Sequence, residues 1–520
     1  MVSSMENSKK CDFETAINLT GFGKYNICMV IASCLLIQAM YMDMFGVSVM
    51  VPAIACDMKL TTAQQGLLSA VPLIGVIISS YGWGLAADII GRRRTLLIAM
   101  PIGFVLGAAA SIAPTYTSLA VLKFFSVMFS TAANAASFVL TAESVPRKNR
   151  NRFMFILTSF TTSTMFFVSL LSIPLLDLPI RYKIPWLNVD YRPWRMMLQI
   201  ITLPAPVGLL LLLFLNESPK FLLSKKREKE ALEILQTIFQ SNMGRKKNEF
   251  PVSYVYLDER QVVTNGDTSV LKKMWNQTAP LFKPPLLRNS AILYYLLLCA
   301  YMTSTGFTMW VPTMTNAFFT GDDSSGQTFC QVASRSANHN STNAEDCDRV
   351  IQPMTLYALM VYSGVASTFT VLQSFVITSV GKKRSTLIVF VISTLCGVLL
   401  FFVKSPLPSI GLFYLFLYVT QILGNINSYL VDLNPTHLRG MAACLSIVVS
   451  RGFGFFSVQL IGSLMEHHCT PMLCGYVLLV VSGLVVALFL PPDSKLKIVD
   501  KEINNSEITD SPFNENDNKI

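Results

Sequence analysis

Charged residues are scarce in this sequence, and their scarcity excludes an ordinary soluble domain. Asp, Glu, Lys and Arg together make up 14% of the 520 residues, whereas a typical soluble domain carries about 25%. Hydrophobic residues make up 52% of the chain, which is more than one soluble core can bury. They fall in runs of membrane-spanning length, about 20 residues each, and we therefore predict an integral membrane protein.

Sequence motifs of nucleotide hydrolysis and of metal chemistry are also missing. The chain contains no P-loop pattern, so we expect no direct use of ATP. It has no CxxC or HExxH spacing and no nucleophile–base pattern, so we expect no metal site, no cofactor and no enzymatic activity. A cleavable signal peptide is not evident, because the first apolar run is too long for one.

Long apolar runs in the sequence predict twelve transmembrane helices. A polar stretch separates the first six from the last six, so we predict an all-α membrane protein built from two six-helix halves. The predicted spans are 25–51, 66–87, 95–113, 117–142, 153–175, 196–215, 291–319, 353–379, 385–403, 409–433, 440–464 and 470–490. The predicted domains are a cytosolic N-terminal segment at 1–24, the first half at 25–215, a cytosolic linker with amphipathic helices at 216–290, the second half at 291–490 with an outer loop at 320–352, and a disordered cytosolic tail at 491–520.

The net charge of +10 does not indicate a nucleic-acid partner, because the basic residues cluster in short loops between apolar runs. The groups at 92–94, 147–152, 220–288 and 382–384 all fall on one side of the predicted membrane. The positive-inside rule assigns that side, with both termini, to the cytosol. The loop at 320–352 then lies on the outer side.

The outer loop carries signs of passage through the secretory pathway. An Asn-Ser-Thr glycosylation sequon begins at Asn340, and we predict a glycan there. Cys330 and Cys347 lie in the same loop, and we predict a disulfide between them because the outer compartment is oxidising. Pairing with Cys469 or Cys474, near the outer end of the last span, is the alternative.

Two charged motifs occur twice along the chain. The loop after span 2 reads GxxxDxxGRRR, and a degenerate copy, GKKR, follows span 8 at an offset of 290 residues. The motif ExxPxxxR after span 4 recurs as DxxPxxxR after span 10, at an offset of 289 residues. The shared offset indicates an internal duplication. We predict that the charged residues of these motifs form ion pairs between the two halves, and that these pairs keep the cytosolic gate closed in the outward-open state. The predicted gate residues are Asp88, Arg92, Glu143, Arg150, Asp432 and Arg439.

Ionisable side chains inside predicted spans are costly when unpaired, and the clearest of them are Asp43, Lys123 and Arg451. Asp43 of span 1 and Lys123 of span 4 share a depth in the outer half of the membrane. We predict that they pair, and that protonation of Asp43 releases Lys123. A static ion pair, or a Lys123 side chain that reaches towards the interface, is the alternative. Arg451 lies near the middle of span 11. We predict that it contacts the substrate or the gate; the alternative is a structural pair with a backbone carbonyl or with another span.

Polar side chains form helical stripes on spans 4, 7 and 10, and we predict that they line a solute cavity. Such groups can instead bond their own helix backbone or a neighbouring helix. The long stripe on span 10 favours the cavity. The cavity candidates, together with Arg451, are Asn134, Ser137, Tyr301, Trp310, Tyr418, Gln421 and Asn425.

The repeated motifs resemble the signature of the major facilitator superfamily. Two further segments, TGFGKY before span 1 and ESPKFLL after span 6, are similar to its synaptic vesicle glycoprotein and organic ion transporter branch. The resemblance covers nearly all of the chain and implies alternating access. In the related proton-coupled sugar porters, an acid on span 1 faces a base on span 4. In that family the base precedes the Glu of the span-4 motif by 20 positions, and Lys123 precedes Glu143 by the same number here. This sequence has a lysine at the position where arginine is usual in the family.

The sequence therefore predicts a multi-pass protein of the plasma membrane or of an intracellular vesicle. Its function would be secondary transport of a small organic solute, with or without a coupled proton. We expect a monomer surrounded by the lipid bilayer. The alternative is a vesicle or receptor-like glycoprotein that keeps the transporter fold without transport, and substrate-dependent flux would distinguish the two.

Overall fold

The computed structural model describes residues 9–186, 189–257, 279–284, 286–320, 326–338, 350–433, 436–465 and 467–491. Most of these residues are helical, because a helix satisfies its own backbone hydrogen bonds in a bilayer that offers none. Asn340, Cys347 and the predicted tail from residue 492 onwards lie outside the described residues. The predictions of a glycan and of a disordered tail therefore stay predictions.

The first half contains spans 1 to 6, and polar caps set where some of them begin. The Thr61 hydroxyl accepts a hydrogen bond from the backbone of Gln64 at the start of span 2, and Thr115 does the same for Ser118 before span 4. In order, the spans are Lys24–Met58, Thr62–Ile90, Arg92–Ala110, Tyr116–Ser130 with Ala132–Ser144, Arg147–Thr162 with Thr164–Leu176, and Pro193–Ile200 with Pro204–Leu213.

The second half contains spans 7 to 12, in the order Leu287–Thr320, Pro353–Val380, Lys382–Leu399, Pro406–Leu417 with Leu423–Asp432, Thr436–Met465 and Cys469–Ala487. By length and composition alone, ten helices of the described part can cross a membrane, or eleven if the two pieces of span 5 count as one. Span 9 is not among them. It has only 18 residues and begins with three basic ones, which lie on the predicted cytosolic side.

Four spans consist of two helical pieces, which the sequence analysis did not predict. Span 4 breaks at Thr131, whose hydroxyl bonds back to the carbonyl of Val127, and such back-bonding bends helices. Span 5 bends by 46° at Ser163, inside a run of Ser and Thr with the same kind of bond. Span 6 breaks before Pro204, which has no backbone N–H to donate. Span 10 passes through the 3₁₀ turn Tyr418–Ile422.

A small module outside the spans joins the N-terminal segment to the linker. Strand Lys9–Asp12 pairs in parallel with strand Val252–Tyr256. Asn242, near the end of linker helix Glu228–Met243, donates to the carbonyl of Gly21 at 3.1 Å and accepts from the backbone of Tyr25 at 3.1 Å. These bonds fix the linker to the first half. The other elements are helices Phe13–Leu19, Pro219–Ser224 and Phe329–Asn338, 3₁₀ turns Lys247–Glu249 and Ala279–Phe282, and the antiparallel strands Tyr182–Ile184 and Val189–Tyr191.

The two halves meet closely at the outer ends of spans 2, 7 and 11. Gly66 of the first half lies against Trp310 of span 7, so close that a Cβ at Gly66 would be 3.1 Å from the indole ring. Gly462 of span 11 approaches the same ring, with a corresponding distance of 2.9 Å. The indole N–H donates to the carbonyl of Val458 at 3.0 Å. Trp310 therefore closes the predicted outer side of the interface between the halves.

The disulfide partner of Cys330 differs from the predicted one. Cys330 is bonded to Cys469 at the start of span 12, with the two Cα atoms 5.5 Å apart. The predicted Cys330–Cys347 bond is therefore wrong, and the alternative partner Cys469 is the one found. The cause is the helix Phe329–Asn338, which packs the ring of Phe329 on that of Phe413 at 4.7 Å and so directs Cys330 towards span 12.

Candidate transport site

A buried ion pair lies between spans 1 and 4, where the sequence analysis predicted it. The Asp43 side chain is 3% exposed and the Lys123 side chain is fully buried. The Lys123 ammonium donates to Oδ1 of Asp43. The hydroxyl of Ser126, one turn further along span 4, lies 2.5 Å from the other carboxylate oxygen, Oδ2. Both oxygens of the buried carboxylate thus have a donor.

Two glycines of span 3 allow the helices around this pair to approach one another. A Cβ at Gly103 would lie 3.1 Å from the backbone nitrogen of Ser130. A Cβ at Gly107 would lie 2.9 Å from the Ser126 hydroxyl and 3.4 Å from Oδ1 of Asp43. Larger residues at these positions would push span 3 away from the carboxylate. The close approach also brings the Gly103 carbonyl to 3.0 Å from Ser126 Oγ.

A small cavity of about 10 Å³ adjoins the carboxylate. Its lining residues include Asp43, Ser130 and Thr202, but the surface that they and their neighbours expose to it is apolar. A volume of about this size holds roughly one water molecule if polar partners are present. The surroundings of Asp43 are therefore tight and largely dry, which strengthens its electrostatic interaction with Lys123.

The second charged group of the membrane interior is Arg451 of span 11, which lies between two tyrosine rings. Its guanidinium is 5.9 Å from the ring centroid of Tyr41 and 5.8 Å from that of Tyr301. It also donates to the Tyr41 hydroxyl at 3.3 Å. Tyr41 belongs to span 1, two residues before Asp43, so Arg451 links the two halves. Among the described residues no carboxylate pairs with it.

Aromatic residues of spans 8 and 10 pack on one another in the second half. Tyr362 of span 8 stacks on Tyr414 and Tyr418 of span 10, with ring centroids 4.6 and 5.7 Å apart. The Tyr418 hydroxyl donates to the carbonyl of Tyr362 at 3.0 Å. These rings form a rigid surface whose faces can hold cations or apolar groups.

The remaining cavity candidates have varied surroundings. Gln421 donates to the carbonyl of Ala366, and Asn425 donates to the Thr386 hydroxyl at 3.0 Å, so both tie span 10 to neighbouring helices. Ser137 is fully buried and its hydroxyl has no hydrogen-bond partner. Asn134 is half-buried. Their predicted role in solute binding stays a prediction.

The described part of the predicted gate pairs within the first half. Arg92 contacts Asp88 at 3.0 Å and Glu143 at 3.2 Å. Glu143 also accepts from the Ser218 hydroxyl at the start of the linker. Arg150 pairs with Glu14 of the N-terminal helix at 2.9 Å. The side chains of Asp432 and Arg439 are not among those described, so the predicted pairing across the halves stays a prediction.

Comparison with known proteins assigns the chain to a family. The sequence model described as Major Facilitator Superfamily matches residues 33–458. The chain belongs to this superfamily. The fold agrees: the xylose transporter XylE from E. coli, in a partially occluded inward-open conformation, superposes with a TM-score of 0.63 at 15% identity, covering 90% of this chain and 99% of that one. The predicted fold class of twelve helices in two halves is thereby confirmed.

Curated relatives in the superfamily have transporter and synaptic vesicle names. Organic cation/carnitine transporter 7 of Arabidopsis thaliana is 27% identical over 50% of this chain and 49% of its own. Synaptic vesicle glycoprotein 2B of Rattus norvegicus is 23% identical over 61% of this chain and 50% of its own. The match thus spans about half the length of each of these relatives. Synaptic vesicle 2-related protein of the same organism is 24% identical over 75% of this chain and 64% of its own.

The structure also shows contacts of this superfamily member that the sequence analysis missed. Ser126 lies three positions after Lys123, and this helical spacing could have revealed it as a neighbour of the same carboxylate. Glu217 accepts from the backbone nitrogens of Arg93 and Arg94 at the start of span 3. Its partners are backbone N–H groups, which every residue except proline has, so the sequence does not reveal this contact. A negative charge there complements the helix N-terminus.

Proposed function

We propose that the chain is a proton-coupled secondary transporter of a small organic solute that carries an anionic group. The observation that carries the proposal is the buried Asp43–Lys123 pair in a fold built for alternating access. Ion pairs of this kind stabilise little when static, because desolvation offsets their attraction. A pair whose charge can be cancelled by one proton supplies two local states instead.

Protonation of Asp43 changes the interactions of Lys123. When a proton neutralises Asp43, the Lys123 ammonium loses the carboxylate that compensates it. Lys123 then favours a conformation in which water or another anionic group reaches it. A proton thus has different affinities for the two conformations, which is the requirement for a ligand to drive a conformational change.

The charge of the interior supports an anionic solute. Asp43 compensates Lys123, but no carboxylate among the described residues compensates Arg451. An uncompensated guanidinium deep in a membrane protein is costly, and a solute carboxylate would form a charge-assisted pair with it. The tyrosine faces beside Arg451 would hold the rest of the solute. A zwitterion is compatible as well, because aromatic faces also bind quaternary ammonium groups.

The solute proposal is tested by a thermal-shift screen of the purified protein. The panel contains aliphatic and aromatic carboxylates, carnitine and, as matched controls, the corresponding neutral amides. A ligand present at 100 times its dissociation constant stabilises the folded state by about 2.7 kcal/mol. We expect carboxylates to raise the unfolding temperature of the wild type and their amides to leave it unchanged.

The arginine is tested with Arg451→Gln and Arg451→Lys. Glutamine removes the charge, and we expect the carboxylate-dependent shift to disappear. Lysine keeps the charge but lacks the bidentate geometry, so a smaller shift should remain. Stabilisation of the wild type by amides and carboxylates alike would contradict an anionic solute. A protein that binds a solute but shows no flux of it in liposomes would instead fit the non-transporting alternative.

A further inference from the structure

We propose that Ser126 is a positioning residue that holds Asp43 in both of its protonation states. The inference rests on the proposed function, since it concerns how the coupling carboxylate accepts its proton. Ser126 is buried in span 4, one turn from Lys123, and its hydroxyl faces two acceptors at once. One is Oδ2 of Asp43 at 2.5 Å, and the other is the backbone carbonyl of Gly103 at 3.0 Å.

A serine hydroxyl has one hydrogen to donate and two lone pairs with which to accept. It can therefore donate to only one of these two acceptors at a time. When Asp43 is ionised, the hydroxyl donates to the carboxylate, and this bond is strengthened by the negative charge. The Gly103 carbonyl does not depend on Ser126 then, because it lies within a helix and carries a second lone pair.

Protonation reverses the direction of the bond. One proton arrives from water and binds to Oδ2, which gives a neutral carboxylic acid. The acid donates its new hydrogen to Ser126 Oγ. The serine keeps its own hydrogen, rotates its hydroxyl and donates to the Gly103 carbonyl. This exchange moves no heavy atom of Asp43, Ser126 or Gly103, and the hydroxyl hydrogens of Ser126 and of the acid have an acceptor in both states.

The other polar groups around Asp43 do not serve in the same way. Lys123 only donates, so it cannot accept from the acid. The Thr202 hydroxyl donates to its own helix at Gln199. Among the described charged groups, Lys123 alone contacts Asp43. Other ionisable groups lie on span 1 and on the spans packed against it, and the described contacts of these groups are with partners other than Asp43. These contacts are Tyr41 and Tyr301 with Arg451, Asp57 with Arg192 and Arg195, Asp88 and Glu143 with Arg92, Tyr294 with Ala442, and Tyr295 with Ser482.

The test is an infrared pH titration of the full-length protein in lipid, which needs no known solute because the probe is the proton. A protonated carboxyl group has a C=O stretching band that is absent from the carboxylate. Asp43→Asn removes this band and so identifies it. In the wild type we expect the Asp43 band to appear as the pH falls, at a frequency typical of a hydrogen-bonded acid.

Ser126→Ala removes the hydroxyl that donates to the ionised Asp43 carboxylate and accepts from the protonated Asp43 carboxyl group. The bond to the charged carboxylate is the stronger one, so we expect the titration midpoint to rise by about one pH unit. The band should also move to higher frequency, because the acid has lost its acceptor. Ser126→Cys keeps the volume with a weaker donor and acceptor, so both changes should be smaller.

The matched control is Ser172→Ala in span 5. Ser172 is as buried as Ser126, but its hydroxyl bonds its own helix at Val168. We expect neither the midpoint nor the frequency to change in this control. An unaltered Asp43 band and midpoint in both Ser126 variants would overturn the role of Ser126 and leave the proposed function standing. A wild type without any titrating Asp43 band would overturn both.

Discussion

The two halves of this transporter fold are stabilised by different chemistry. Within the described residues, the ion pairs of the spans belong to the first half, at Asp43, Asp57, Asp88 and Glu143. The second half packs through aromatic rings. The ring of Phe307, for example, lies against the rings of Phe413, Phe416 and Tyr476, with centroids 4.8 to 6.2 Å apart. The sequence repeat therefore preserved the fold of the halves while their interiors diverged.

The difference suggests a division of labour. A charge pair can be switched by a proton, whereas a cluster of rings offers a fixed surface that no proton alters. The first half thus holds the element suited to coupling. The second half holds tyrosines and one arginine suited to solute contact. Tyr41 connects the two halves, because it lies two residues before Asp43 on span 1 and its hydroxyl oxygen accepts from the guanidinium of Arg451 on span 11. Substitutions that act on one half only can test this division.

The largest effect is expected at the buried pair. Lys123→Met leaves Asp43 without its partner, and breaking a buried ion pair costs about 3–5 kcal/mol. Asp43→Asn combined with Lys123→Met removes both charges, so this double variant should recover most of the lost stability. Thermal unfolding in detergent measures the stability of the single and of the double variant. Equal loss in the single and the double variant would show that the charges themselves are unimportant there.

A smaller loss is expected when the covalent bond of the second half is removed. Cys330→Ser opens the bond to Cys469, which joins residues 139 positions apart. Disulfides contribute about 2–4 kcal/mol, mainly by restricting the unfolded chain. The matched control is Cys474→Ser, because Cys474 is free and exposed on the same span. Peptide mapping without reduction should recover the Cys330–Cys469 link; finding Cys330 joined to Cys347 would contradict the structure.

The smallest effects are expected at the charges on the predicted cytosolic side of the first half, and they should differ between two acids that share Arg92. Glu143 is 13% exposed and also holds Ser218, so Glu143→Gln should cost about 1.5–3 kcal/mol. Asp88 is 70% exposed and one helical turn from Arg92, so Asp88→Asn should cost about 0.3–0.5 kcal/mol. Unfolding temperatures of the two variants compare them directly, and a larger loss at Asp88 would contradict the assigned roles.

The sequence predicted the contact between Asp43 and Lys123 from their depth in the membrane and from a family resemblance. The helical rise places both residues at one depth, and in the related sugar porters an acid on span 1 faces a base on span 4. The breaks in spans 4, 5, 6 and 10 were missed, since they depend on local bonds such as that from Thr131 to the backbone. Cys469 was predicted only as an alternative partner of Cys330, because the pairing depends on how the helix Phe329–Asn338 packs, which spacing does not determine.

The site was only partly predictable for a similar reason. An ionisable residue in an apolar run is visible in the sequence, so Asp43, Lys123 and Arg451 could be singled out. The groups around Asp43, such as Ser126 and the Gly103 carbonyl, look like ordinary helix residues. Their importance arises from three helices meeting at one point, and a single sequence does not contain that information.

Uptake into liposomes under an imposed proton gradient tests the central claim most directly. A carboxylate identified in the thermal-shift screen serves as the solute. The wild type should accumulate it when the interior is alkaline. Asp43→Asn mimics the protonated carboxyl group, so it should still exchange labelled for unlabelled solute but should not accumulate it. Accumulation by Asp43→Asn equal to that of the wild type, or wild-type uptake that ignores the gradient, would contradict proton coupling at this pair.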